Sequence, residues 1–133
     1  MLLLDTNILS EPLRETPHRK VHARLNIQAG NFAASIITLN ELRYGAMIHP
    51  DSEEFWSRIE TTVIPLVRWI KVDHAIALGA ADLRAHLKLK GQTASVNDCL
   101  IAATALVDDW VLVTRNTEHF KQMPGLQVEN WFK

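Results

Sequence analysis

Apolar residues in this chain occur in short runs, separated by longer stretches in which they recur every three or four positions. The short runs predict buried strands, and the longer stretches predict amphipathic helices. The predicted strands are Leu2–Leu4, Phe32–Ala34, Trp69–Val72, Val111–Val113 and Leu126–Val128. Because strands and helices alternate, the pattern is typical of an α/β fold with a mainly parallel sheet and helices on both faces.

Helix boundaries are predicted from capping residues and helix breakers. Pro17 predicts the start of a helix that runs to about Gln28, and Thr38 predicts the cap of a helix that fades near His49. Three more helices are expected, from Ser52 to Thr62, from Ala75 to Lys88 between the cap Asp73 and Gly91, and from the cap Ser95 to about Asp108. Since no linker or repeat interrupts this order, residues 1–133 are predicted to form one domain.

The overall charge does not indicate a nucleic-acid-binding protein. The chain has 14 basic and 15 acidic residues among 133, and 47% of its residues are hydrophobic. This composition supports a compact core but lacks the basic excess of many nucleic-acid binders. Basic residues nevertheless occur in two groups, which are Arg14, Arg19, Lys20 and Arg24, and then Arg84, Lys88 and Lys90.

Cysteine content and the N-terminus limit the class of protein. Cys99 is the single cysteine, so an intramolecular disulfide and a cysteine-built zinc site are excluded. The apolar run Leu2–Leu4 is too short for a signal peptide or a membrane span. We therefore expect a cytoplasmic protein without membrane contact.

Three acidic residues occupy similar places in the predicted fold. Asp5 ends the first strand, and Glu41 and Asp98 lie at or near the starts of predicted helices. In an open α/β sheet such positions gather outside the carboxyl ends of the strands. Carboxylates gathered there without basic partners repel one another, and a hard divalent cation such as Mg²⁺ or Mn²⁺ offsets their charge. This placement predicts metal-assisted phosphodiester chemistry.

Each of these acids also has a purely structural interpretation. Thr38 and Glu41 have the spacing of a capping box, which stabilises a helix start by about 1 kcal/mol. Ser95 and Asp98 have a weaker version of the same spacing, and Asp5 could simply cap the first helix. The metal site is favoured for the three together, because their surroundings are apolar and neither Asp5 nor Asp98 has a lysine or arginine beside it in the sequence.

Other functions would need different residues. A phosphatase of the haloacid-dehalogenase type needs a second aspartate two positions after the first, where this chain has Asn7. A response-regulator receiver needs an acidic pair after the first strand, and Glu11 is too distant. A non-catalytic RNA-binding or interaction module remains the alternative, and it would bind no divalent metal at Asp5 and Asp98.

Four ordered blocks carry a resemblance to a known family. They are Leu4–Ser10, Ile37–Gly45, Asn97–Ala105 and Leu112–Phe120. Their order and spacing over essentially the whole chain resemble the PIN-domain family, and specifically the VapC-type ribonuclease toxins of bacterial toxin–antitoxin pairs. The resemblance implies a three-layer α/β/α domain with its acids grouped at the C-terminal edge of the sheet.

The resemblance also assigns expected roles to single residues. Asp5, Glu41 and Asp98 match the three principal acids of the family. The fourth position is Asn116, where many PIN domains carry aspartate, and it could hold a water or a carboxylate by hydrogen bonding, or only cap the following turn. Other members place an acid two or three residues later, where this chain has Glu118 and His119. Thr6 and Thr114 are expected to support the site.

The implied chemistry is hydrolysis of structured RNA, such as tRNA. Mg²⁺, with Mn²⁺ as a substitute, would be held by Asp5 and Asp98, while Glu41 would order a water for in-line attack. Arg43 or Arg115 would offset charge on the reacting phosphate, or could be ordinary surface residues. Because water rather than the 2′-hydroxyl attacks, the products would carry 5′-phosphate and 3′-hydroxyl ends.

The resemblance implies partners as well as a substrate. A VapB-like antitoxin is expected to neutralise the enzyme, and a homodimer that forms a larger assembly with the antitoxin is expected. Several apolar side chains could form part of such an interface, or could simply belong to one core. They are Trp56, Ile59, Val63, Leu66 and Trp69.

Overall fold

A computed structural model describes residues 1–133 as a five-stranded parallel sheet between two layers of helices. The strands are β1 (Leu2–Leu4), β2 (Phe32–Ser35), β3 (Arg68–Ile70), β4 (Val111–Val113) and β5 (Val128–Glu129). The helices are α1 (Thr6–Leu9), α2 (Arg19–Ile27), α3 (Ile36–Met47), α4 (Ser52–Thr62), α5 (His74–Leu89), α6 (Val96–Val107) and α7 (Thr117–Phe120), with 3-10 turns at Glu11–Leu13 and Ile64–Leu66. All strand pairs are parallel, so the predicted α/β class is confirmed.

The order of the strands defines a crevice at the centre of the sheet. The order is β3-β2-β1-β4-β5, so the chain extends the sheet from β1 in one direction and later returns to extend it in the other. Leu3 of β1 is in register with Ala33 of β2 and with Leu112 of β4. Open α/β sheets bind ligands outside the strand ends where this reversal occurs. Asp5 and Thr114 directly follow the two strands at that point.

Alternate residues of the central strands feed two separate cores. Leu3 and Leu112 join a core with residues of α5, α6 and α7. Leu4 and Val113 face the other side and join a core with residues of α1 to α4. Since successive side chains of a strand point to opposite faces, short apolar runs such as Leu2–Leu4 supply both cores. The three layers implied by the resemblance are confirmed.

The apolar set around α4 belongs mainly to one of these cores. Ile59 and Val63 are completely buried, and Trp56, Leu66 and Trp69 are half-buried against the same core. The single-core interpretation is therefore correct for Ile59 and Val63, and only the half-buried members of the set could contribute to an intermolecular surface. Exposed apolar side chains occur elsewhere, including Tyr44, Met47 and Ile48 at the end of α3.

Helix α3 begins earlier than predicted, because Ser35 is its N-cap. The Ser35 hydroxyl accepts the Ile37 N–H at 3.1 Å, while the hydroxyl of Thr38 is buried inside the helix without a hydrogen-bond partner. Strand β2 thus leads directly into the helix. The predicted Thr38 cap, and with it the capping box of Thr38 and Glu41, is wrong. The Glu41 carboxylate is left for a different contact.

The predicted caps of α5 and α6 are confirmed. Asp73 accepts the N–H of Ile76 at the start of α5, and Ser95 accepts the N–H of Asp98 at the start of α6. Gly91, with φ of +77°, follows the end of α5 in the left-handed conformation that glycine adopts at low cost. Strands β3 and β5 are shifted by one or two residues from their predicted positions. No helix of the chain has the length and apolar character needed to cross a lipid bilayer.

Candidate active site

An open polar cleft of about 540 Å³ lies at the C-terminal edge of the sheet. Its lining residues are Asp5, Thr6, Asn7, Ser10, Glu41, Ser95, Asp98, Asn116 and His119. The lining contains three carboxylates but no lysine, no arginine and no hydrophobic side chain. The structure therefore brings together four of the predicted site residues that lie far apart in the sequence, which are Asp5, Glu41, Asp98 and Asn116.

Asp5 is fixed at the reversal of strand order by both its backbone and its side chain. Its N–H donates to the carbonyl of Val113 at 2.9 Å, which ties the end of β1 to β4. One carboxylate oxygen accepts the Thr6 N–H at 2.8 Å and so caps α1. The other accepts the Thr114 hydroxyl at 2.7 Å and the Asn7 amide at 3.3 Å. Asp5 is therefore both a helix cap and a cleft residue.

The setting of Asp5 disfavours its negative charge. Its side chain is buried, and this burial raises the pKa of the carboxyl group. Hydrogen bonds from Thr114, Thr6 and Asn7 act in the opposite direction, while repulsion from Asp98 raises the pKa further. Burial and repulsion disfavour the charged form of this carboxylate. A positive charge that binds beside it stabilises that form.

Glu41 reaches the cleft from α3 and is held by Thr6. Its carboxylate accepts the Thr6 hydroxyl at 2.7 Å. Burial raises the pKa of Glu41, and the negative charges of Asp5 and Asp98 raise it further. Thr6 thus connects two acids, since its N–H binds Asp5 and its hydroxyl binds Glu41. These two hydrogen bonds are consistent with the predicted supporting role of Thr6.

Asp98 enters the cleft from the first turn of α6. Because the Ser95 hydroxyl caps this helix by accepting the backbone N–H of Asp98 at 3.0 Å, the Asp98 carboxylate is not used as a cap. One of its oxygens lies 3.3 Å from Nδ1 of His119, which is the only histidine in the cleft. Asp98 is the more accessible of the two aspartates that line the cleft.

The loop that follows β4 is tied to the loop that follows β1. The Thr114 hydroxyl, which donates to Asp5, also accepts the Asn116 N–H at 3.0 Å. The Asn7 side-chain oxygen accepts the Arg115 N–H at 2.9 Å. Asn116 occupies the N-cap position of α7, but its side chain makes no capping hydrogen bond. The interpretation of Asn116 as a side-chain cap is therefore wrong, and the residue helps to line the cleft.

Three of the other predicted residues lie outside the cleft. Glu118 is exposed and pairs with Lys121, which lowers the pKa of Glu118. The guanidinium of Arg43 lies 4.7 Å above the ring of Trp56, and that of Arg115 lies 4.5 Å above the ring of Phe132. Neither arginine lines the cleft. Aromatic faces attract guanidinium groups, which explains the positions of both side chains.

Several cleft residues carried little signal in the sequence. Asn7 could have been suspected from its place in the Asp5-Thr6-Asn7 block, and Ser95 was identified only as a helix cap. Ser10 and His119 gave no usable signal, because their approach to the acids depends on how α1 and α7 are placed in the fold.

The donor set suits a hard cation. Carboxylate, amide and hydroxyl oxygens dominate the cleft, and Mg²⁺ and Mn²⁺ prefer oxygen ligands. No three acidic, histidine or cysteine side chains converge closely enough to form a complete metal site. The fit therefore rests on the chemistry of the donors, on the absence of lysine and arginine among them, and on the raised pKa values of Asp5 and Glu41.

Comparison with known proteins agrees with this geometry. The sequence profile of the PIN domain matches residues 2–126. The chain is 34% identical over 126 residues to Toxin FitB of Neisseria gonorrhoeae, a match that covers 90% of this chain and 91% of that protein. It is 33% identical over 129 residues to the tRNA(fMet)-specific endonuclease VapC of Shigella flexneri, which covers 97% of this chain and 96% of the relative.

Solved structures show the same likeness in three dimensions. The crystal structure of VapBC2 from Rickettsia felis, bound to a DNA fragment from its promoter, aligns with a TM-score of 0.89 and 31% identity. The alignment covers 98% of each chain. The similarity therefore extends over essentially the whole length, including all four blocks that line or adjoin the cleft.

Proposed function

This chain belongs to the PIN-domain family, and from that membership we propose that it is a VapC-type endoribonuclease, the toxin of a toxin–antitoxin pair. The observation that carries the proposal is the cleft at the reversal of strand order. There Asp5, Glu41, Asp98 and Asn116 meet without any lysine or arginine among the lining residues. A pure binding module has no need for uncompensated carboxylates in such a place.

We propose Mg²⁺ as the resident cation, with Mn²⁺ able to replace it. Asp5, Asp98 and Glu41 would hold it, because they are the three anionic side chains of the cleft. When bound, the cation supplies a Lewis acid that activates water and offsets charge on the reacting phosphate. The same positive charge would also relieve the repulsion that raises the pKa values of Asp5 and Glu41.

The protein's own groups would orient the attack. Thr114 and Asn7 fix the direction of the Asp5 carboxylate, and the Thr6 hydroxyl holds the carboxylate of Glu41. Glu41, whose carboxylate lies in the cleft and is held by the Thr6 hydroxyl, would order the attacking water and take its proton. Attack by water on the phosphodiester leaves a 5′-phosphate and a 3′-hydroxyl.

Removal of divalent metal tests this proposal most directly. Purified chain, freed of any partner, should cleave RNA with Mg²⁺ or Mn²⁺ and stop when EDTA is added in excess, because the carboxylates alone repel the phosphate. The measurement is loss of intact RNA on a gel, with mapping of the new 5′ ends. Restored cleavage after excess Mg²⁺ is the control. Undiminished cleavage in EDTA, or products with 5′-hydroxyl ends, would refute the mechanism.

The fourth position can be assigned by a pair of variants. Asn116→Ala should lower cleavage about 10- to 100-fold, as expected for a group that supports a metal ligand. Glu118→Ala should have little effect, because Glu118 is exposed and pairs with Lys121. Asn116→Asp should retain activity and bind Mn²⁺ more tightly, since added charge raises affinity for hard cations. The reverse pattern of the two alanine variants would assign the fourth position to Glu118.

The substrate and partners follow from the family and remain part of the proposal. Structured RNA, and tRNA in particular, is the substrate class, in line with the name of the Shigella flexneri relative. A VapB-like antitoxin would neutralise the enzyme, as the paired composition of the Rickettsia felis complex suggests. Exposed Tyr44 on α3 and Ile48 just after it offer apolar surface for such a partner. A homodimer, a single domain over residues 1–133 and a cytoplasmic location complete the proposal.

A further inference from the structure

We propose that a basic strip, defined as Arg115, His18, Arg14, Arg19 and Lys20, binds backbone phosphates of the RNA that flank the cleaved bond. This inference rests on the proposed function and names how the substrate is held. Three carboxylates line the cleft and no lysine or arginine does, so without a bound cation it does not attract a polyanion. Cations close to the cleft are required, and the structure supplies them on one side.

The strip begins at the rim of the cleft. Arg115 immediately precedes Asn116, which lines the cleft, and its N–H is held by the side chain of Asn7 at 2.9 Å. Its guanidinium lies 4.5 Å above the ring of Phe132 and is exposed. Stacking on this ring restricts the side chain, so its positive charge is held next to Phe132 rather than moving freely in solvent.

Direct contacts continue the strip away from the cleft. Phe132, which contacts Arg115, also contacts His18. The two rings make an edge contact with 5.0 Å between their centroids. The His18 N–H donates to the buried carboxylate of Glu11 at 2.8 Å, and Arg14 pairs with the same carboxylate at 3.4 Å. Glu11 thus fixes the segment between α1 and α2, and with it the position of the cations that follow.

The strip ends in an open depression of about 790 Å³ at the start of α2. Arg14, His18, Arg19 and Lys20 line it, and no acidic side chain does. Arg19 and Lys20 are exposed and form no ion pair. In a chain with a net charge of −1, this concentration of free positive charge is a local feature rather than a property of the whole surface.

The chemistry of the depression favours an RNA backbone over a protein segment. A docking helix needs an apolar groove, whereas this lining is mainly charged or polar and Ala23 is its one hydrophobic residue. Lysine and arginine contacts to phosphate provide affinity without reading sequence, and they position the chain for chemistry elsewhere. Continuity with Arg115 directs the bound strand towards Asp5 and Asp98.

A charge-reversal pair tests the strip with little risk to folding. Arg19 and Lys20 are the first two residues of α2, where acidic side chains interact favourably with the helix dipole, so Arg19→Glu with Lys20→Glu should fold normally. The matched control is Arg68→Glu with Lys71→Glu, which makes the same charge change at exposed positions in and just beyond the edge strand β3. Melting curves of both pairs establish that they are folded.

Cleavage of a long structured RNA should separate the two pairs. We expect kcat/KM of the Arg19 and Lys20 pair to fall about tenfold or more near 0.1 M salt, mainly through KM, and the dependence of log kcat/KM on log salt to weaken by about one unit per cation. A short oligonucleotide that reaches only the cleft should be cleaved at the wild-type rate. The control pair should behave as wild type on both substrates.

Each other outcome overturns the inference in a recognisable way. Unchanged kcat/KM and salt dependence on long RNA would show that the strip does not bind substrate, while wild-type cleavage would leave the proposed function intact. An equal loss in the control pair would reduce the effect to net charge. Unchanged cleavage together with lost inhibition by a co-expressed antitoxin would assign the depression to that partner. Failure of wild-type protein to cleave even the short oligonucleotide would instead reject the proposed function.

Discussion

Replacement of Asp5 by asparagine is expected to lower RNA cleavage by at least about 1000-fold while the fold is retained, since loss of a metal ligand removes several kcal/mol of charge stabilisation. Asparagine has the same shape and can still accept the Thr6 N–H that caps α1. The hydroxyl of Thr114 can rotate to accept the new amide. The initial rate of RNA cleavage at saturating Mg²⁺ is the measurement.

Asp98→Asn should give a loss of similar size for the same reason. The cap of α6 survives this change, because Ser95 binds the backbone N–H of Asp98 and not its carboxylate. Asp108→Asn, an exposed aspartate at the end of α6, is the matched control and should cleave at the wild-type rate. If Asp98→Asn cleaved as fast as Asp108→Asn, Asp98 would not be a metal ligand.

Asp5→Asn should also reveal how the charge of Asp5 affects the stability of the fold. Folding raises the pKa of Asp5, so the native state binds the proton more tightly than the unfolded chain. Stability from this group is present below the ordinary pKa of about 4 and is lost as pH rises through the raised value. Metal-free wild type should therefore lose melting temperature relative to Asp5→Asn as the pH increases from about 4 to 7. Added Mg²⁺ should stabilise only the wild type.

Much of this fold was predictable because its signals are local. Short apolar runs identified the strands, and Asp73, Ser95 and Gly91 marked helix ends through side-chain or backbone properties of single residues. The grouping of Asp5 and Asp98 was also predictable, because strand ends and helix starts in a parallel sheet meet at one edge. Glu41 was grouped with them by the same argument, although its spacing from Thr38 also fitted a capping box, and the family resemblance added Asn116.

The remaining features depend on contacts between distant segments. Thr38 and Ser35 are both good caps, and only the path of β2 into α3 decides between them. Arg43 and Arg115 were expected at the reacting phosphate, but their guanidinium groups stack on Trp56 and Phe132 and neither residue lines the cleft. No sequence pattern reports where an aromatic ring from another element will lie. The basic strip could not be predicted from the sequence, because it depends on the contacts of Phe132 with Arg115 and His18.

Glu41→Gln should lower the rate of RNA cleavage by about 100-fold or more, as expected on loss of a general base. The melting temperature should change very little. Glutamine keeps an oxygen that can accept the Thr6 hydroxyl, so the contact between α1 and α3 survives. The lost charge is one that burial and the neighbouring aspartates already disfavour, as the raised pKa of Glu41 indicates. Because Ser35 caps α3, the helix start does not depend on Glu41. Glu60→Gln, an exposed acid of α4, is the control for charge. Full activity of Glu41→Gln would show that Glu41 has no catalytic role and only accepts the hydrogen bond from Thr6. A large fall in melting temperature would show that its role is structural.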